Sequence, residues 1–171
     1  RHYWIPVLRS DELSPGGRVK RVQLLGERLV AYRTSNGTPG LIGEYCPHRG
    51  ASFYFGRVEA DGMRCVYHGW KFGLDGQCQE TPNEPSTSNF ASKVCHSAYP
   101  CVEAGGLIWT YMGADRAPAL PRFEWMDLPS AHVFASKRVQ ECNWFQGLEG
   151  GIDSSHISFL HAPLAHTNTQ I

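Results

Sequence analysis

Two short stretches of the chain pair a sulfur donor with a nitrogen donor in the same order. The first is Cys46-Pro47-His48-Arg49-Gly50, and the second is Cys65-Val66-Tyr67-His68-Gly69-Trp70. Four such ligands can hold zinc, but a zinc finger usually groups two cysteines on one knuckle and two histidines on a helix. Here the types alternate, as C-x-H and then C-x-x-H, so each loop offers one thiolate and one imidazole. That arrangement suits a binuclear iron centre in which one metal takes both thiolates and the other both imidazoles. Gly50 and Gly69 stand where a metal-holding loop needs a tight turn and close backbone approach. Zinc, or no metal at all, is the competing reading of these residues.

A second constellation lies in residues 143–161, which end with Asp153, His156 and His161. Trp144, Leu148 and Ile152 recur at i, i+4 and i+8, the stripe expected of a buried helical face. Gly147, Gly150 and Gly151 oppose a helix, each costing about 1 kcal/mol relative to alanine in its interior. A local rule broken this often tends to mark a functional or close-packed place. Asp153 and His156 are three apart, so a helix would set them on one face. His161 is about 140° further round an ideal helix from His156. Both can face one metal only if the helix widens into a π-turn or ends between them. Packing is the competing reading of these three residues.

The elements that must position these groups read as a small β-domain up to about residue 115. Arg18 to Leu25, Arg28 to Thr34 and Gly40 to Tyr45 are short alternating or β-branched runs, joined at Gly26-Glu27 and at Ser35-Asn36-Gly37. Trp70-Lys71-Phe72 leads into an Asp75-Gly76 turn, and Ala91 to Tyr99 and Leu107 to Met112 extend the strand pattern. Short strands with glycine-rich turns imply a sandwich or open barrel. Residues 81–89, with Pro82 and Pro85, read as an exposed loop. Pro118, Pro121 and Pro129 mark residues 115–132 as a linker, after which Val133 to Val139 resumes an extended pattern.

Sixteen basic and sixteen acidic residues cancel, which argues against a nucleic-acid or anionic-membrane surface. No apolar run approaches a bilayer span, and the first residues are not a signal peptide. Cys78, Cys95, Cys101 and Cys142 show no metal-pair spacing and read as ordinary reduced thiols of a cytoplasmic protein. No G-x-G-x-x-G fingerprint for nicotinamide or flavin is present.

The two Cys/His loops resemble those of Rieske [2Fe–2S] proteins. The cytochrome bc type adds a disulfide between the loops and a serine after the second His-Gly. Ala51, Tyr67 and Trp70 stand at those positions, so the chain resembles the lower-potential Rieske ferredoxins and oxygenases instead. Asp153-x-x-His156-x-x-x-x-His161, preceded by Asn143-Trp144, resembles the mononuclear iron motif of Rieske oxygenase α-subunits. The segments Cys-Pro-His-Arg-Gly-Ala-Ser, Cys-Val-Tyr-His-Gly-Trp-Lys-Phe and Leu-Glu-Gly-Gly-Ile-Asp-Ser-Ser-His make the phthalate dioxygenase branch the nearest.

The resemblance implies an all-β Rieske domain over residues 1–114, the linker 115–132, and residues 133–171 as the start of an α+β catalytic domain. On that reading the sequence is a fragment. Cys46, His48, Cys65 and His68 would hold the cluster. His156 and His161 would hold a mononuclear non-haem iron(II), with a third, carboxylate ligand beyond residue 171. Asp153 would bridge His156 to His68 of the partner subunit in a homotrimer or stacked trimers. His166 matches no ligand of the family and reads as a surface or loop residue. The implied activity is hydroxylation, as cis-dihydroxylation, of a small aromatic acid such as phthalate by O₂, with electrons from a separate NADH-dependent flavin/iron–sulfur reductase. A Rieske monooxygenase or O-demethylase is the enzymatic alternative, and a Rieske electron carrier without catalysis is the non-enzymatic one.

Overall fold

The run Leu29-Val30-Ala31-Tyr32 lacks polar alternation because both of its faces are covered. In the computed structural model, which describes residues 1–162, it forms the middle of a strand flanked by two cores. The strands are β1 (Trp4–Arg9), β2 (Lys20–Leu24), β3 (Glu27–Arg33), β4 (Pro39–Gly43), β5 (Arg57–Val58), β6 (Gly62–Arg64), β7 (Lys71–Gly73), β8 (Cys78–Glu80), β9 (Ala98–Tyr99), β10 (Cys101–Ala104) and β11 (Leu107–Tyr111). They build three antiparallel sheets in the orders β1-β11-β10, β2-β3-β4-β9 and β5-β6-β7-β8. Successive residues of a strand face opposite sides. Val30 and Tyr32 accordingly join Ile42, Phe53, Met63 and Phe72 in one core, while Leu29 and Ala31 join Val7, Leu8, Leu41 and Ile108 in the other. The first of these cores includes Cys46, Cys65 and Trp70, so the candidate cluster loops sit on it.

The β2–β3 turn centres on Leu25 (φ 48°) and Gly26 (φ 87°), one residue ahead of the expected pair. Positive φ at both positions is the hairpin geometry that matches strand twist, and it leaves Leu25 in a conformation that costs an L-residue energy. Two expectations need correction, and one strand was not legible: β1, which Pro6 confines to a sheet edge, with a register shift between Pro6 and Leu8. The Ala91–Tyr99 run is not one strand: Ala91–Lys93 forms a 3₁₀ turn, Cys95 makes an isolated bridge to Gln77, and Ala98–Tyr99 forms β9. The Gln77 side-chain amide donates to the carbonyls of Ala91 and Val94, and Cys78 N donates to Val94 O, which ties the turn beside β8. Val133 to Val139 carries no strand pairing.

Contacts divide the chain into two units, Arg1–Ser136 and Lys137–Ile171. Residues 115–132 are applied to the first. Trp4 Nε1 donates to Pro118 O at 2.9 Å, and Phe123 and Trp125 stack against each other and beside Trp109. In the second unit, α1 (Trp144–Ile152) is capped by the Asn143 side chain, which accepts from Phe145 N, and α2 (Ile157–Leu160) follows. No helix among the described residues is long and apolar enough to cross a membrane. His166 lies outside the described residues.

Candidate metal centres

Both Cys/His loops are closed by one hydrogen-bond frame. In the first, Cys46 N donates to Ala51 O at 2.9 Å and Gly50 N to Cys46 O at 2.8 Å. In the second, Cys65 N donates to Trp70 O at 2.8 Å and Gly69 N to Cys65 O at 3.1 Å. Each frame needs a left-handed residue at its fifth position, supplied by Gly50 (φ 69°) and Gly69 (φ 73°). The histidine sits one place later in the second frame than in the first. The cysteines are buried against the core, and the imidazoles are partly exposed.

The two loops meet. The His48 and His68 rings lie 4.6 Å apart between centroids, and the Cys65 thiol is near enough to act on that of Cys46. Burial and the neighbouring Cys65 push the Cys46 thiol up to about 11, against the opposing pull of the backbone N–H groups of His48 and Arg49. Those N–H groups are the donors a metal-bound thiolate would use, and metal binding would displace the proton. Partial desolvation, then the charges of His68 and Arg49, holds His48 below the usual imidazole range, toward the neutral ligand form. No three described His, Cys, Asp or Glu side chains converge on a single metal position. A sulfur pair beneath a nitrogen pair fits a two-iron cluster and does not fit a single tetrahedral zinc.

Each loop has an anchor that sequence reasoning missed. Buried Glu44 accepts from Arg21 Nε at 2.7 Å and Ser52 Oγ at 2.9 Å, fixing both ends of the first loop. Burial opposes ionisation of Glu44, but Arg21 and Ser52 outweigh it and hold its carboxyl below the ordinary range. Arg64 serves the second loop. Its Nη1 donates to Gly69 O at 2.8 Å, while its remaining donors engage Glu59 and Glu80. Arg21 and Glu80 lie 23 and 16 residues from the groups they meet, so the fold is needed to reveal those two contacts. The four cysteines outside the loops are free thiols; Cys78 is buried in the core, and Cys95 and Cys142 are exposed.

Asp153, His156 and His161 are also brought together, by a different local structure from the expected one. Helix α1 stops at Ile152, and Asp153 is its extended C-cap. Asp153 Oδ1 accepts from Ser155 N at 2.8 Å and Ser155 Oγ at 2.6 Å, and this turn delivers His156 Nδ1 to Asp153 Oδ2 at 3.0 Å. Those bonds, Ser155 foremost, hold the Asp153 carboxyl below its ordinary range. His156 and His161 flank the single turn of α2 as its N-cap and C-cap, with ring centroids 5.3 Å apart. The helix ends between them in effect, so no π-turn is needed. With Nδ1 facing Asp153, the Nε2 of His156 is left for a metal. Trp144 and Ile152, expected to be buried, are 76% and 73% exposed.

Residues 3–93 match the Rieske [2Fe-2S] domain family, and residues 110–169 match a family described as LigXa C-terminal domain like. The chain is 46% identical over 169 residues to the 3-chlorobenzoate-3,4-dioxygenase oxygenase subunit of Comamonas testosteroni, covering 98% of this chain and 39% of that protein. It is 45% identical over 166 residues to the phthalate 4,5-dioxygenase oxygenase subunit of Pseudomonas putida, covering 95% and 37%. The terminal oxygenase of carbazole 1,9a-dioxygenase from Nocardioides aromaticivorans IC177 superposes with a TM-score of 0.75 at 28% identity, over 91% of this chain and 43% of that one. The chain thus spans about two fifths of the length of these relatives. Paired Cys/His loops carried on a β-domain, matched by that family model over residues 3–93, place the chain plainly: it belongs to the Rieske [2Fe-2S] domain family, and the relatives it resembles along nearly its whole length are oxygenase subunits.

Proposed function

We propose that the chain is the electron-accepting part of a multicomponent oxygenase that hydroxylates a small aromatic acid, phthalate or an isomer being the first choice. The reading is carried by two loops of one frame presenting a buried thiol pair beneath a partly exposed imidazole pair. Cys46 and Cys65 hold one iron, and His48 and His68 the other. His156 and His161 would hold the mononuclear iron, with a third, carboxylate ligand from beyond residue 171 of the full-length protein. When bound, the cluster supplies single electrons and the mononuclear iron supplies oxygen activation.

The protein's own groups do the rest. The imidazoles of His48 and His68 are partly exposed and offer the entry point for electrons from a separate reductase. Asp153, ionised and fixed by Ser155, orients His156 and raises its basicity as a ligand. A carboxylate has about four acceptor positions, and three are used here. The remaining one, on Oδ2, can take the ring N–H of His68 of the partner subunit, which makes a trimer the functional unit. The free thiols suit a reducing compartment such as a bacterial cytoplasm.

The test is metal and sulfide analysis of the purified protein. Two iron and two labile sulfide per chain, with the low average g-value of a His-ligated [2Fe–2S] centre, are expected, plus one further iron in the full-length protein. Zinc without labile sulfide would refute the reading. Cys46→Ser or His68→Ala should remove the cluster signal and spare the mononuclear iron.

A further inference from the structure

The two imidazoles are not held alike. His48 lies flat on the indole of Trp70, with ring centroids 4.4 Å apart and planes 1° from parallel. Trp70 is buried, packs on Phe72 and Phe90, and donates Nε1–H to Asn83 Oδ1 at 3.0 Å. Its backbone carbonyl closes the second loop on Cys65 N, so one residue seals that loop and supports the histidine of the other. His68 instead meets the His48 ring edge-on and Tyr67, which is tilted by 37° and 63% exposed. Asn83 comes from the Pro82–Pro85 loop, and Pro82 covers Gly69, where an added Cβ would lie 3.2 Å from its Cγ.

We infer that Asn83 and Trp70 are positioning residues that lower the reduction potential of the centre bound through His48, Asn83 acting only through Trp70. This rests on the cluster reading above. An aromatic face is the negative end of the ring quadrupole and favours positive charge placed over it. An imidazole bound to iron carries more positive charge in the oxidised state, so a parallel indole beneath it favours that state. The Asn83 carbonyl, accepting the indole N–H, adds electron density to the ring and fixes its plane. A bond accepted by an exposed loop residue thereby reaches the potential, a lever of the same kind as hydrogen bonds to the ligands.

The test is a spectroelectrochemical titration of the cluster-loaded full-length protein and of Asn83→Leu, Trp70→Phe and the double variant, each with iron and sulfide quantified. Asn83 is exposed, so its replacement leaves the core intact. Asn83→Leu should favour the reduced state about fivefold, a rise of about 40 mV at 59 mV per tenfold for one electron. On the Trp70→Phe background, which retains a ring but no N–H, Asn83→Leu should produce no further shift. An unmoved potential in Asn83→Leu at full iron and sulfide content would overturn the inference. So would equal shifts in both backgrounds, since Asn83 would then act without Trp70. A wild-type protein lacking the His-ligated spectrum would instead sink the cluster reading, and that is settled before any variant is made.

Discussion

Arg64 is the cation on which the second cluster loop hangs, so Arg64→Met should loosen that loop selectively. The side chain is 19% exposed, with Glu59 at 30% and Glu80 at 49%. Breaking a buried ion pair costs about 3–5 kcal/mol, and a single hydrogen bond to a charged group is worth about 1.5–3 kcal/mol. Two features pull this case down. The carboxylates are partly solvated, and Lys71 Nζ stays 3.4 Å from Glu59 and 3.7 Å from Glu80, so neither is left without a cation. The Gly69 carbonyl alone loses its side-chain donor. A loss of about 2 kcal/mol follows, or about 4–8 °C in Tm for a chain of this size. Chelator-driven iron release should accelerate roughly tenfold if most of that loss falls on opening of the 65–69 loop. Arg64→Lys should recover part of the stability, because one ammonium cannot serve the carboxylates and the carbonyl together. Denaturant unfolding of the metal-free protein and iron-release kinetics of the loaded protein read the two effects. Unchanged release kinetics alongside a normal Tm would refute the anchoring role.

His156→Ala and His161→Ala should each abolish the mononuclear iron and all hydroxylation while keeping the cluster spectrum; ordinary turnover by either variant would remove that residue from the ligand set. His96 packs near Phe53 and Phe72 and donates Nε2–H to Gly43 O at 3.0 Å, and burial holds it below the usual imidazole range. The unfolded chain therefore takes up this proton first, and stability should fall as pH drops below about 6.5, by at most about 1.4 kcal/mol per pH unit, levelling once the folded pKa is passed. His96→Gln should remove that part of the slope in pH-dependent denaturant titrations; an identical slope would show that His96 does not titrate there. With NADH and a flavin/iron–sulfur reductase, the full-length protein should oxidise phthalate or an isomer; equal activity on neutral hydrocarbons with none on benzene dicarboxylates would move it to another branch.

The parts legible in the sequence were those whose chemistry leaves little choice. Cys-x-His-x-Gly and Cys-x-x-His-Gly show themselves because ligand type, spacing and the left-handed glycine are all required together. Strands β2 to β4 showed through turn residues and short alternating or β-branched runs. What failed depended on distant partners or on end effects. Pro6 hides β1 because a proline strand is tolerated only at an edge, and edges are set by topology. The anchors Glu44 and Arg64 look like ordinary surface charges until Arg21 and Glu80 are brought beside them. At the second site, i, i+3 spacing suggested a helical face, yet the Asp153–His156 contact arises from a turn that ends a helix. Side-chain capping by Asp competes with helix continuation, which is why spacing alone misassigned the geometry while finding the pair.

That same turn makes Asp153→Ala the most discriminating substitution. The proposed ligands His156 and His161, with a carboxylate from elsewhere, would survive it, so iron should be retained, weakened by about ten- to a hundredfold as is usual when a ligand loses its hydrogen-bond partner. The cluster should still accept electrons from the reductase, since His48 and His68 are untouched. Re-oxidation of the cluster in the presence of substrate and O₂ should collapse, because the Oδ2 position proposed to receive His68 of the partner subunit is gone. A role confined to the local turn predicts something else. Loss of Ser155's acceptor and of the His156 contact would shift α2 and lower iron affinity, and re-oxidation would decline only in proportion to the iron lost. Stopped-flow re-oxidation of iron-replete Asp153→Ala protein separates the two. Normal rates at full occupancy would leave Asp153 as a residue that shapes the turn and orients His156, and the route between subunits would have to run through another group.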